Sequence, residues 1–336
     1  MNKNLNNSEP PVNNSFLLGA GFTKAVFPDA PLNRDLLPLM CKNAPSITTT
    51  LKNYYKEHNK TTDIEILLTR LDLEITFPKA KKQTALQTVR RAVEEKLAES
   101  FQRFRFEEKL IENPWLKSFV RLFNENDAII TVNYDCLLDG LLDYYKIWCP
   151  STGYGDVKVE VPGTSLDSLQ NPKNILIYKI HGSENFQTCG INDGRIDSRH
   201  ISLVVNEEIY PNSGKNRNFG VVQGQSYIIA PSFVKTFYPQ IERMMIGALQ
   251  AAKKAKNFVI IGCGLRPEDS FLWLLLTAFL YRSENGKIII VDPDAERIKD
   301  KICEHYSDSN KHITTICRNL ECSVDELISK LQDTCL

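Results

Sequence analysis

His181 in YKIHGS, and Asn133 with Asp135 in TVNYD, are the side chains of this chain best suited to moving a proton and orienting a polar ligand. An imidazole with an ordinary pKa near ~6.5 takes a proton from a hydroxyl or from water at neutral pH. The glycine after His181 leaves space around the ring. A single histidine at a strand end is more often structural, so residue type alone leaves both roles open. Asn133 and Asp135 stand two positions apart and share one side of an extended backbone. There the amide suits a ribose hydroxyl or a water, and the carboxylate suits a carboxamide donor. Asp135 also directly precedes CLLDGLLDYYKI (136–147), a helical segment, and Asp is a favoured N-cap. The two roles are compatible.

Backbone chemistry comes from two glycine turns. In LLGAGFTKAV (17–26) an apolar run ends in Gly19, Ala20 and Gly21, with Thr23 close behind. Without a Cβ, the chain there can approach a pyrophosphate and donate amides to it, although such glycines as often only make room for packing. In VIIGCGLRPED (259–269) the run ends in Gly262, Cys263 and Gly264, which would admit a flat or phosphorylated ligand, and a helix starts near Pro267. IIIVDPD places Asp292 at a strand end, suited either to ribose hydroxyls or to an Asp-Pro turn. These segments make chemical sense together if they converge on one nucleotide.

The elements that would bring them together alternate. Apolar runs at NSFLLGAG, DAIITVNYD, ILIYKIHGS, NFVIIG and KIIIVDPD read as buried strands, and helical segments follow several of them. Strands alternating with helices predict an α/β fold: a Rossmann-like, mostly parallel sheet with helices on both faces. Helix-period spacing in DIEILLTRLDLEI (63–75) and in residues 81–104 predicts a helical insertion over about 47–126. Asn, Gly, Ser and Asp dominate about 184–225, which predicts a small irregular, loop-rich insertion. Residues 1–13 read as a disordered polar lead-in, and 14–336 as a single domain.

Lys+Arg and Asp+Glu both number 41, so no excess of positive charge argues for direct nucleic-acid binding. The apolar run FLWLLLTAFL (271–280) is too short for the roughly 20 residues that span a bilayer, so no membrane association is expected. MNKNLNNSEPPVNNS lacks the apolar core of a secretory signal, and a cytoplasmic location is expected. The nine cysteines contain no CxxC pair, which argues against a disulfide framework and a cysteine-held metal; they read as reduced thiols.

In order and spacing, GAGFT, TVNYD, KIHGS and GCGL resemble the sirtuin-like superfamily, whose corresponding motifs line one NAD cleft. The resemblance spans about 14–295. It implies that Ala20, Gly21 and Thr23 contact the phosphates, and that Arg34 of APLNR stands for the arginine of the family's cofactor loop. It implies that Asn133 holds the nicotinamide-side ribose or the attacking water, that Asp135 faces the carboxamide, and that His181 is the general base. Gly262, Cys263 and Leu265 would form the adenosine side, with Asp292 near its ribose. The cofactor loop departs from the family pattern at Leu32 and Asn33. Protein-deacylating sirtuins usually carry two CxxC pairs between the motifs of His181 and Gly262, holding zinc; this chain has Cys189 alone there, so no zinc ribbon and no metal are expected.

That departure makes the chain look like the divergent branch found in bacterial anti-phage systems, where sirtuin-like domains hydrolyse NAD. The implied activity is NAD+ glycohydrolysis, with NAD as substrate. The implied setting is a homo-oligomer activated by assembly or by a separate sensor, such as a HerA-type motor ATPase or an Argonaute-like protein. Two alternatives remain at this level: a non-catalytic module that binds NAD or ADP-ribose, and a zinc-free deacylase or ADP-ribosyltransferase.

Overall fold

The computed structural model describes residues 12–43, 45–54, 63–77, 83–155, 159–160, 172–188, 201–215, 218–219, 225–233, 239–282 and 286–332. The polar lead-in expected over 1–13 lies outside the described residues up to position 11, as do Cys189 and Cys335.

Twelve strands are described: β1 (Asn14–Leu18), β2 (Ala128–Thr131), β3 (Val159–Glu160), β4 (Leu176–Lys179), β5 (Gly182–Thr188), β6 (Ile201–Leu203), β7 (Val205–Asn206), β8 (Asn218–Phe219), β9 (Gln225–Ile228), β10 (Asn257–Ile261), β11 (Lys287–Val291) and β12 (Ile313–Ile316). The helices are α1 (Ala20–Val26), α2 (Leu36–Asn43), α3 (Pro45–Tyr54), α4 (Ile64–Thr76), α5 (Gln83–Phe101), α6 (Pro114–Val120), α7 (Leu137–Tyr144), α8 (Pro239–Lys254), α9 (Ser270–Arg282), α10 (Ala295–His305) and α11 (Val324–Gln332).

Six strands form the main sheet in the order β12-β11-β10-β1-β2-β4, and every pairing in it is parallel. Every residue of β1, β2 and β10 is buried. A strand reaches that state when both faces of its sheet are covered, and this is why these runs are continuously apolar rather than alternating. The chain order reverses at β1, which pairs with β2 on one side and β10 on the other. Ligands of open α/β sheets bind beyond the carboxyl ends of the strands at such a reversal.

Two further units overhang that end. Helices α2, α4 and α5 share their own apolar cluster, including Leu37, Leu68, Leu71, Val93 and Leu97, and it extends to Tyr134, Ile228 and Ala230. Helix α4 starts where Asp63 accepts the Glu65 amide at 2.9 Å, an N-cap that satisfies one of the first turn's orphan donors. The described part of the stretch that composition reads as irregular carries β5 to β9. β3, β6, β5 and β9 form a second sheet, and β7 pairs with β8. Phe186, Leu203 and Val205 are fully buried there, so a few well-placed apolar side chains hold strands in a segment of polar composition.

Candidate functional site

The carboxyl ends of β1, β2, β4 and β10 and the overhanging helices enclose a cavity of about 280 Å³. Gly19, Ala20, Thr23, Asn133, Asp135, His181, Gly262, Cys263 and Leu265 all line it, so nine of the twelve positions singled out in the sequence meet in one place. Gly21, Arg34 and Asp292 do not line it.

Helix α1 begins at Ala20, directly after Gly19, where sequence reading places only a tight turn. The Gly19 amide donates to the Ile261 carbonyl at 3.0 Å and the Gly21 amide to the Gly262 carbonyl at 2.9 Å. These two donors are therefore engaged within the protein. A Cβ on Gly19 would lie 2.5 Å from the Gly262 oxygen, and one on Gly21 2.6 Å from the Gly262 Cα. The two glycine turns lock the end of β1 against the end of β10. Gly262 itself has φ +57°, a left-handed conformation that favours glycine.

Thr23 joins the next two groups. Its hydroxyl donates to Asp135 Oδ2 at 2.8 Å and accepts from Asn133 Nδ2 at 3.1 Å. The same Nδ2 donates to the Gly19 carbonyl at 3.0 Å. A carbonyl only accepts, so this contact fixes the amide's orientation and leaves its oxygen as the acceptor. Asp135 Oδ1 accepts the Leu137 amide at 3.2 Å, but α7 begins at Leu137 with Cys136 as its N-cap, so Asp135 stands one position before the cap expected of it and serves the first helical amide from there. Burial pushes the Asp135 carboxyl up to about 6, against the opposing pull of Lys179 and the Thr23 hydroxyl.

His181 sits in the turn between β4 and β5, its side chain 14% exposed. Its carbonyl accepts the Ile229 amide at 2.7 Å, and the Ile229 carbonyl accepts the Tyr134 hydroxyl at 2.8 Å. The Tyr134 ring lies beside the imidazole, with centroids 6.4 Å apart. Gly182 has φ +76°, and a Cβ there would meet the Tyr227 carbonyl at 2.4 Å. Its glycine serves the turn and the approach of β9, whereas sequence reading credits it with making room for the ring.

Two neighbours escaped the sequence reading. Asp269, the last residue of VIIGCGLRPED and two positions after the Pro267 where a helix start is expected, brings Oδ2 to 2.9 Å from His181 Nε2. Lys179, fully buried, donates from Nζ to the Asp135 carbonyl at 2.7 Å and to Asp139 Oδ2 at 2.9 Å. A Lys two residues before a His was visible in the sequence, but its partner Asp139 is 40 residues away along the chain.

Arg34 and Asp292 lie outside the cavity lining. The Arg34 side chain is 81% exposed and 3.8 Å from Asp35. It follows Leu32 and Asn33, and these do line the cavity. Asp292 Oδ1 accepts the Asp294 amide at 2.8 Å, the Asp-turn arrangement. The guanidinium on the cavity wall belongs to Arg266, which meets Glu65 of α4 at 2.6 Å and so ties the helical overhang to the turn after β10. Burial pushes the Cys263 thiol up to about 12, which keeps it protonated and unsuited to act as a nucleophile at neutral pH. The seven cysteines among the described residues are free thiols.

A wholly parallel sheet with a cavity at its reversal point, mostly apolar in its lining but carrying Asn133, Asp135 and His181, defines a Rossmann-like nucleotide-binding architecture. The SIR2-like domain family matches residues 127–316, over half of the chain, and the chain belongs to that family. Among solved structures it is similar to a Sir2 homologue in complex with NAD, at 14% identity over 96% of this chain and 90% of that one, with a TM-score of 0.45. It is likewise similar to an ADP-ribose complex of a Sir2 homologue variant, at 14% identity over 97% and 94%, with a TM-score of 0.43. No curated protein matches it. Among the described residues no cluster of three His, Cys, Asp or Glu side chains is arranged to hold a metal ion. No described helix is long and apolar enough to cross a membrane.

Proposed function

We propose that the cavity takes NAD+ as substrate and hydrolyses it to nicotinamide and ADP-ribose. Membership of the SIR2-like family supports an NAD-dependent enzyme. The observation that carries the hydrolytic reading is the meeting of Asn133, Asp135 and His181 at one cavity. The pyridinium charge already activates the glycosidic bond. The protein has mainly to orient the ribose, shelter a cationic oxocarbenium-like transition state and present water to it. As the C–N bond breaks, its electron pair returns to the nicotinamide ring. Water then adds to the anomeric carbon, and its proton passes to His181. Asn133, with its nitrogen engaged by Gly19 and Thr23, offers its oxygen to the ribose hydroxyl or to that water. Asp135 stands next to it to accept from the carboxamide.

The reaction as proposed destroys a cofactor that every cell needs. It therefore suits a toxic effector of a bacterial anti-phage defence system, silent until homo-oligomerisation or a separate sensor or ATPase engages it. The experiment is NAD+ turnover by the purified chain with product analysis, alone and under oligomer-promoting or partner-containing conditions, beside Asn133→Ala and His181→Ala. Loss of the general base is expected to slow nicotinamide release by ~10²–10⁴-fold. Wild-type-like release from His181→Ala would reject the assigned base. Tight NAD binding without turnover under every condition would reject hydrolysis in favour of a ligand-sensing module.

A further inference from the structure

We infer that Asp269 is a positioning residue for His181, acting through the imidazole rather than on the substrate. The pair is close and largely withdrawn from water: Nε2 to Oδ2 is 2.9 Å, with side-chain exposures of 14% and 11%. A carboxylate can only accept, so Nε2 carries the hydrogen and the ring's acceptor is Nδ1. The carboxylate thus selects one tautomer and, with the Tyr134 ring beside the imidazole, fixes the ring plane. Asp269 is itself held: its amide donates to the Arg266 carbonyl at 3.1 Å and its carbonyl accepts the Leu272 amide at 3.0 Å, at the threshold of α9. A negative charge this close favours the imidazolium over the neutral ring, opposing the desolvation that burial imposes. The other charged groups on the cavity are Asp135, Glu65 and Arg266. Arg266 and Glu65 face each other at 2.6 Å, Asp135 is engaged by Thr23 and the Leu137 amide, and Asp269 contacts the ring.

The enzymatic arm rests on the hydrolytic reading above. In it, water gives its proton to Nδ1 as its oxygen bonds to the anomeric carbon, and the resulting imidazolium is stabilised by Asp269 until the proton leaves to solvent. The test follows the His181 imidazole by NMR pH titration in the full chain, with His181→Gln identifying its signal. It compares wild type, Asp269→Asn and Asp269→Glu, with Asp269→Ser replacing the amide variant if that fails to fold. The expected result is a His181 pKa lower by ~1 unit or more in Asp269→Asn or Asp269→Ser, and substantially restored in Asp269→Glu. The pH profile of nicotinamide release should shift by the same amount, with kcat changed more than KM. An unchanged His181 pKa in a folded Asp269→Asn or Asp269→Ser chain would overturn the proposal. If neither wild type nor any variant releases nicotinamide, alone or under the oligomer-promoting and partner-containing conditions above, the hydrolytic reading fails, and the imidazole titration still decides the role of Asp269.

Discussion

Lys179 offers the sharpest test of what holds the site in place. Its side chain is 0% exposed and that of Asp139 1%, at 2.9 Å from each other. Nζ also holds the Asp135 carbonyl at 2.7 Å, and the Tyr154 hydroxyl donates to the other Asp139 oxygen. Lys179→Met removes the cation and leaves a buried carboxylate with the tyrosine, so a loss of ~3–5 kcal/mol is expected. In Lys179→Met/Asp139→Leu both charges are gone. The Tyr154 hydroxyl keeps Tyr210 at 2.9 Å, and the Asp135 carbonyl is the acceptor left without its donor. That double variant should lose only ~1–3 kcal/mol, the cost of one unsatisfied buried group. A double-mutant cycle by urea unfolding at pH 7, followed through tryptophan fluorescence, therefore reads a coupling of at least ~2 kcal/mol. Burial pulls the Lys179 pKa down, but Asp139, Cys136 and Asp135 more than reverse that, so it stands above the ordinary lysine value. A base with a raised folded pKa stabilises fully below its unfolded value and loses this only as pH rises through the folded one, so the contribution of Lys179 to wild-type stability should be the same at pH 6 and pH 8. Additive single losses, or a Lys179→Met loss below ~1 kcal/mol, would refute the reasoning.

The glycine turns and Asp135 each give a further prediction. Gly21→Ala places a Cβ 2.6 Å from the Gly262 Cα, whereas one on Gly264 meets nothing within 4 Å. Thermal and urea unfolding should show a loss of ~1–3 kcal/mol or more for the first. The second should stay within ~0.5 kcal/mol of wild type; equal effects would contradict the interlock. Asp135 has a folded pKa raised to about 6 from 3.8, so the native state binds the extra proton between those values and stability falls as pH rises through that window. About two pKa units amount to roughly 3 kcal/mol. Relative to Asp135→Asn, wild type should lose about that much between pH 4 and pH 7, and parallel profiles would show that burial does not control this carboxyl.

The sheet was legible because its strands are buried on both faces, and NSFLL, AIIT and NFVII write that as continuous apolar runs. The meeting of the polar motifs followed from the same fact, since parallel strands end on one side. The edge strand β12 escaped because ITTI is short and three of its four residues are only half-buried, so no apolar run announces it. Asp269 escaped for a different reason: it lies 88 residues from His181, and a helix-start aspartate gives no local sign of an imidazole above it. Arg34 and Asp292 show the limit of residue type as a guide to placement. Their residue types suit a dinucleotide, yet local geometry turns one to solvent and the other to its own backbone.

The motif residues bind one another, and that favours a reading of the site as preorganised. Asn133 is fixed by Gly19 and Thr23, Asp135 by Thr23 and Leu137, and His181 by Asp269 and Ile229. A polar group already held by its neighbours needs little reorganisation when charge develops beside it, which is where fixed dipoles contribute most to lowering a barrier. The glycine turns belong to this support: with the Gly19 and Gly21 amides engaged by the end of β10, they act first as the hinge pin between two strands. The helical overhang differs, for it reaches the sheet end through Tyr134, Ile228 and Ala230 and through the Arg266–Glu65 pair. The control proposed above, by assembly or a partner, would act most directly on that overhang, which lies outside the main sheet while the polar groups beneath are held by their own neighbours.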